Sequence, residues 1–295
     1  MRELVVISGK GGTGKTSLTA SLAVLADRPV LADCDVDAAD LHLVLEPRQR
    51  NRHDFYGGRE AVIRQDDCNG CGTCLAVCRF DAVLVDRPPG GRDTYTVDPV
   101  ACEGCGVCVH FCPEIAIDFP ERLAGEWMVS DTRCGPMVHA RLGIASENSG
   151  KLVSTVRREA RRIAEDEGRR LVIVDGPPGI GCPVIASVTG ASLVLAVTEP
   201  TVSGEHDLER VLSLARHFGV PAAVCVNKWD LNPEMTDRIE GRARAAGARV
   251  TGRVRYDRGV TAAQIQAKAV VETGAACGED IRSIWADLRR HPAIS

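Results

Sequence analysis

Leu4-Val5-Val6-Ile7-Ser8-Gly9-Lys10-Gly11-Gly12-Thr13-Gly14-Lys15-Thr16-Ser17 decides the fold of this 295-residue chain. Its apolar start reads as a short buried strand, its glycines as a tight loop, and Ser17 to Leu25 as a helix. Gly9 to Thr16 fits G-x4-G-K-[ST] in the strand–loop–helix context the pattern requires. Glycines let backbone N–H groups converge on phosphate oxygens, and the helix N-terminus adds positive potential. Lys15 is expected on the β- and γ-phosphates and the Thr16 hydroxyl on Mg²⁺, with Gly9, Gly11, Gly12, Thr13, Gly14 and Ser17 completing the cradle.

Outward from the loop, Val30-Leu31-Ala32 reads as a second strand, running into Asp33-Cys34-Asp35-Val36-Asp37. The polar stretch 46–58 reads as an irregular linker. Beyond residue 121 the pattern resumes with a helix from Ser149 to Glu167, capped by Asn148 or Ser149 and ended at Gly168. Apolar runs at 171–174, 193–197 and 222–226 alternate with helical stretches such as Glu205–His217. This alternation predicts an α/β fold, a mostly parallel sheet covered by helices on both faces.

Between the two halves lie two cysteine runs, Cys68-x2-Cys71-x2-Cys74-x3-Cys78 and Cys102-x2-Cys105-x2-Cys108-x3-Cys112-Pro113. They form an internal repeat that continues past the cysteines, Phe80-Asp81-Ala82-Val83 echoing Glu114-Ile115-Ala116-Ile117. The spacing is the bacterial ferredoxin arrangement, in which the fourth cysteine of each run ligates the other cluster. It predicts one [4Fe–4S] cluster on Cys68, Cys71, Cys74 and Cys112, and a second on Cys102, Cys105, Cys108 and Cys78. Arg79 stands where the second run has Pro113, a difference in local rigidity rather than in ligation. Structural zinc sites use paired ligands separated by a longer stretch, which these runs fit poorly. The expected organisation is a nucleotide-binding domain over 1–58 and 121–295, interrupted by a small α+β ferredoxin-like insert over 59–120.

Bulk properties narrow the class. The chain is 44% hydrophobic and 26% charged, ordinary for a soluble globular protein, and no apolar run reaches membrane-spanning length. With no signal-peptide pattern and thirteen cysteines mostly in metal-ligand spacing, a cytoplasmic protein is expected. Residues 60–120 hold ten Asp/Glu and four Arg, so that segment carries −6 of the overall −4 and the rest carries +2. No nucleic-acid partner is expected, because no broad basic face is available. An acidic insert can still select a partner by charge.

With Lys10 preceding Lys15, the chain resembles the deviant Walker A family of P-loop NTPases that includes MinD, ParA, Mrp-like carriers and the nitrogenase iron protein. The whole arrangement resembles MinD-superfamily ATPases with an inserted ferredoxin domain. That resemblance implies ATP hydrolysis in a homodimer, or in a heterodimer with a similar ATPase, with Lys10 reaching the partner's nucleotide. It implies that Asp35 and Asp37 position Mg²⁺ and the attacking water, with Asp40 a further candidate, and that Asp175 of Asp175-Gly176-Pro177-Pro178-Gly179 contacts Mg²⁺. Asn227, followed by Lys228, would read adenine. Asn227-Lys228-Trp229-Asp230 also matches the N-K-x-D pattern of GTPases, so guanine recognition through Asp230 stays open, as does a helix-capping role for Asp230.

The leading expectation is ATP-gated, low-potential electron delivery to a partner metalloprotein or metallocofactor-assembly system. An Mrp-like cluster carrier and a MinD-like positioning ATPase are the alternatives. Cys182, seven residues after Asp175, sits where the iron protein has a bridging-cluster ligand, but Ala145-Ser146-Glu147-Asn148 supplies no second cysteine and Cys134 lies upstream. Cys225 is expected in the core, and Cys34 beside the first acidic loop. Ile281, Ile284, Trp285 and Leu288 form an amphipathic stripe that is expected to pack on the protein's own core rather than on a membrane.

Overall fold

The computed structural model describes residues 1–143 and 149–295. Its strands are β1 (Arg2–Ser8), β2 (Val30–Asp33), β3 (Arg48–Arg59), β4 (Val62–Ile63), β5 (Val83–Asp86), β6 (Thr94–Val97), β7 (Ile117–Asp118), β8 (Glu121–Asp131), β9 (Pro136–Leu142), β10 (Leu171–Pro178), β11 (Leu193–Thr198), β12 (Ala222–Asn227) and β13 (Arg249–Val254). Its helices are α1 (Lys15–Leu25), α2 (Leu41–Leu45), α3 (Thr73–Val77), α4 (Val107–Phe111), α5 (Ser149–Asp166), α6 (Cys182–Val188), α7 (Val202–His217), α8 (Pro233–Ala245), α9 (Gly259–Ile265) and α10 (Cys277–Leu288).

Among the described residues the large sheet has nine strands, ordered β13-β12-β11-β1-β10-β2-β9-β8-β3. From β13 to β9 every neighbouring pair is parallel. Such strands are covered on both faces, which is why β1, β10 and β11 are nearly continuous apolar runs rather than alternating ones. Leu4, Val5, Val6 and Ile7 are fully buried, as are Leu193, Val194 and Leu195.

The chain divides into two compact units. The larger holds Met1–His53, Trp127–Arg141 and Ser149–Ser295. Of the described residues, the smaller holds Asp54–Glu126, Leu142 and Gly143. The stretch 46–58, expected as irregular linker, is instead largely the long strand β3. It is the last strand in the sheet order and almost wholly exposed, so polar side chains suffice and no apolar periodicity marks it. Helix α5 begins at Ser149, and Asn148, the other expected cap, lies outside the described residues with Ala145, Ser146 and Glu147. Gly168 follows α5 at φ +62°, a left-handed turn that a glycine adopts without strain.

Inside the smaller unit the two cysteine runs fold alike, offset by the 34 residues from Cys68 to Cys102. α3 and α4 each follow a left-handed glycine, Gly72 and Gly106, both at φ 73°. Strand pairing swaps the halves: Ile63 pairs with Ile117, and Val97 with Val83. Arg64 N donates to Ala116 O and Asp98 N to Ala82 O, each at 2.8 Å. The smaller unit is thus an approximately two-fold repeat, each half borrowing a strand partner from the other.

Candidate functional site

In the larger unit a cleft of about 650 Å³ opens at the C-terminal ends of β1, β10, β12 and β13. Parallel sheets place ligands there, because loops leaving neighbouring strands diverge at that edge. Gly11, Gly12, Thr13, Gly14, Lys15, Thr16, Ser17, Asp35, Asp37, Asp40, Asn227 and Lys228 all line it. Gly9 and Lys10 do not, and Asp175 lies beneath it, fully buried. Gly14, at φ +83°, starts α1, and a Cβ there would stand 2.3 Å from Asn227 Nδ2. Asn227 donates that amide to Thr13 O at 2.7 Å, so β12 and the glycine loop are locked together.

Beneath the loop sits one cation among three carboxylates. Lys15 Nζ is 3.1 Å from Asp175 Oδ1 and 3.4 Å from Asp35 Oδ2, with only 6% of its side chain exposed. Burial pushes the Lys15 ammonium down, but Asp175, Asp35 and Asp33 outweigh it and hold it above its ordinary value. Asp33 and Asp175 are register neighbours on β2 and β10, both fully buried. Burial, then the Asp175 charge, pushes Asp33 well above the usual carboxylate range. Asp35 is raised too, by burial against the opposing pull of Lys15. Asp33 accepts from Asp35 N at 3.2 Å and Leu41 N at 3.3 Å, so it shapes the acidic loop between them.

Two orphaned atoms test whether phosphate and Mg²⁺ fit. Among the described residues, buried Thr13 Oγ1 and Asp175 Oδ2 have no hydrogen-bond partner. Buried polar atoms are rarely left so without a ligand or water. Thr13 and Asp175 therefore offer donor and acceptor capacity suited to a nucleotide and a hard cation, and Thr16 lines the cleft beside them.

Lys10 folds onto its own chain. Its Nζ lies 3.2 Å from Ser203 Oγ, 3.4 Å from Thr201 Oγ1 and 3.6 Å from Glu199 Oε2. Glu199 also pairs with Lys228, whose Nζ reaches Gly12 O at 3.4 Å. Asp230 neither lines the cleft nor caps α8: its Oδ1 accepts from Tyr256 N at 2.7 Å, and the cap is Asn232, accepting from Met235 N. The far wall, Val254 to Gln264, was not singled out from the sequence. Its signal was positional, a polar run directly after the last parallel strand.

In the smaller unit, Cys68, Cys71, Cys74 and Cys112 line one small cavity with Ile63 and Tyr95. Cys78, Cys102 and Cys108 pack at the edge of the same apolar cluster, and Cys105 is exposed. The Thr73 hydroxyl and backbone N–H draw the Cys71 thiol down, whereas burial pushes Cys74 and Cys108 up. Soft thiols converging from two runs suit an iron–sulfur group. Among the described residues, no three His, Cys, Asp or Glu side chains are grouped to hold a single metal ion.

The remaining cysteines divide by burial. Cys34 is fully buried and its thiol is raised by that burial. Cys225 and Cys277 are buried and pushed up to about 12, inert core thiols. Cys182 is exposed at the start of α6, and Cys134 is half-buried in the larger unit. Ile281, Ile284, Trp285 and Leu288 are all buried in the core, so the stripe on α10 faces inward. No helix among the described residues is long and apolar enough to cross a membrane.

Uncharacterized protein MJ0578 of Methanocaldococcus jannaschii is 34% identical over 233 residues, covering 78% of this chain and 79% of its own length. One component of the Na(+)-translocating ferredoxin:NAD(+) oxidoreductase complex of Acetobacterium woodii is 40% identical over 74 residues, 22% of this chain and 21% of that one. Among solved structures, septum site-determining protein MinD of Pyrococcus horikoshii, complexed with Mg-ADP, superposes with a TM-score of 0.60. It covers 98% of this chain and 96% of its own at 15% identity, a likeness of fold. The CobQ/CobB/MinD/ParA nucleotide binding domain family matches residues 4–270, and with the glycine loop, the buried lysine and the acidic strand ends in place, the chain belongs to that family.

Proposed function

We propose that this protein is an ATPase that carries two [4Fe–4S] clusters and couples nucleotide-dependent dimer closure to low-potential electron transfer to a partner metalloprotein or metallocofactor-assembly system. The observation that carries this reading is the shared cavity of Cys68, Cys71, Cys74 and Cys112. Cys112 comes from the second run, as the crossed ferredoxin ligand set requires. Cys102, Cys105, Cys108 and Cys78 form the second set. When bound, such clusters supply one-electron redox chemistry. The partial likeness to a component of a ferredoxin:NAD(+) oxidoreductase complex supports the same reading.

In the larger unit the glycine loop and Lys15 bind the phosphates, and Thr16 and Asp175 hold Mg²⁺. Asp35 and Asp37 orient water at the γ-phosphate. Adenine is favoured over guanine, because the Asp230 carboxylate that would pair with guanine is engaged by Tyr256 N–H. Lys10 must leave Glu199, Thr201 and Ser203 before it can reach a nucleotide in a second chain. That exchange ties hydrolysis to dimerisation.

The test is one anaerobic preparation. Iron and sulfide are counted, both clusters are followed by EPR through an ATP turnover, and an apo-acceptor is then added. Clusters that change redox state with nucleotide and stay bound support the proposal. Clusters that leave for the acceptor would identify a carrier instead. Replacing Lys10 with Ala is expected to abolish concentration-dependent hydrolysis without loss of iron.

A further inference from the structure

Ile115 is built into a conformation that its side chain opposes. Its φ is +53°, and among the described residues it is the one β-branched residue in that left-handed region. A β-branched side chain there is a true outlier. Ile115 is also 76% exposed, so burial offers nothing in return. Exposure alone would mean little, since single exposed apolar residues are common. The combination is different, because strain at an exposed position points to a role outside folding.

The internal repeat supplies the comparison. The residue 34 positions earlier is Asp81, also at φ +53°, a residue type that tolerates this conformation. Among the described residues, a side-chain clamp on this turn is found at the Ile115 end and not at the Asp81 end. Arg64 Nη2 donates to Ile115 O at 2.7 Å, while the same guanidinium bonds Asp67 and Asp118. The matching position to Arg64 is Asp98, which instead accepts from Val100 N. The turn belongs to the cysteine cavity, because Ile115 N donates to Cys112 O at 3.2 Å and Glu114 lines the cavity. Around it Asp67, Glu114 and Asp118 are exposed, the first and last of them bonded by Arg64, and exposed Arg92 donates to Gln65 O on the adjoining turn.

Resting on the cluster reading above, we infer that this end of the smaller unit is a docking surface for a redox protein with a basic face, and that Ile115 is its apolar anchor. An exposed apolar tip in an acidic rim complements an apolar spot ringed by Lys and Arg. The rim steers the encounter and the tip supplies contact on arrival. A partner seated here stands over the Cys68, Cys71, Cys74 and Cys112 set rather than the other one.

The probe is oxidised cytochrome c, a basic redox protein, titrated calorimetrically at low ionic strength into the full-length anaerobic protein. Ile115→Asn keeps a residue that accepts the left-handed turn, and Asp81→Asn is the control at the opposite end. Ile115→Asn is expected to raise Kd about tenfold, with iron content unchanged and Tm equal or higher. Asp81→Asn is expected to bind as wild type does. An unchanged Kd in Ile115→Asn, a fall in its Tm, equal weakening by Asp81→Asn, or no binding by the wild type each overturns the docking surface. Protein that holds no iron and sulfide overturns the cluster reading first, and the docking proposal with it.

Discussion

Lys10 illustrates how much one side chain's surroundings add to its identity. In a single chain it is held by Glu199, Thr201 and Ser203, so its use elsewhere competes with a local ion pair. Glu199→Gln removes that competitor. The expected result is half-maximal hydrolysis at a lower protein concentration, by about fivefold for each lysine freed if the pair is worth ~1 kcal/mol, read from the concentration dependence of ATP turnover. A second residue gives a pH signature. Burial, helped by His42 and Arg141, lowers His139 to about 4, with Ser130 Oγ 2.8 Å from its Nε2. The folded state therefore favours neutral imidazole, and the unfolded chain binds the proton first. Stability should fall as pH drops from 6.5 towards about 4, and His139→Gln should flatten that part of the curve in urea denaturation. Lys15 and the glycines were legible in sequence because a phosphate loop needs them at fixed spacing, and Asp35 was reached through the family resemblance. Asp33 and Glu199 were not, because their importance comes from strand register and from a loop folding back, neither of which spacing reveals.

Among elements, α5 shows what holds the sheet's covering layer. Arg157 bonds Glu3 through two nitrogens at 2.8 and 2.7 Å, with both side chains almost fully buried, and also donates to Thr189 O. Arg157→Met should destabilise the fold by about 3 kcal/mol, the low end for breaking a buried pair, since Arg161 still reaches Glu3 at 3.0 Å. The midpoint of chemical denaturation checks this. Elements with a period were readable: β1, β10, β11 and β12 as apolar runs, and α5 within one residue of its end. β3 was not, because a polar strand at the end of the sheet order carries no hydrophobic pattern. The stripe on α10 was readable as amphipathic, and its burial against the core followed from the ordinary preference for self-packing.

For the molecule as a whole, the proposed crossed ligation is the property to test, and it would be read as iron stoichiometry. If Cys71 and Cys112 serve one cluster, Cys71→Ser with Cys112→Ser should lose no more iron than either change alone. Cys71→Ser with Cys78→Ser should lose both clusters. Run-by-run ligation reverses the two outcomes, and an iron assay with EPR separates them. The crossed assignment came from the bacterial ferredoxin spacing, and Cys112 of the second run lines one cavity with Cys68, Cys71 and Cys74 of the first. What sequence left unspecified was Ile115, where the repeat breaks chemically while the backbone stays the same.

One contact bears on the history of such a chain. His53, where the larger unit is left, and Trp127, where it resumes, stack with ring centroids 4.1 Å apart. The ends of the segment 54–126 therefore meet in the larger unit, and closing that gap asks almost nothing of chain entropy. A gene acquiring, discarding or exchanging that segment would shorten β3 and β8 at the end of the sheet order and leave the parallel strands from β13 to β9 as they are, so relatives lacking it, or bearing another in its stead, are what such a junction permits.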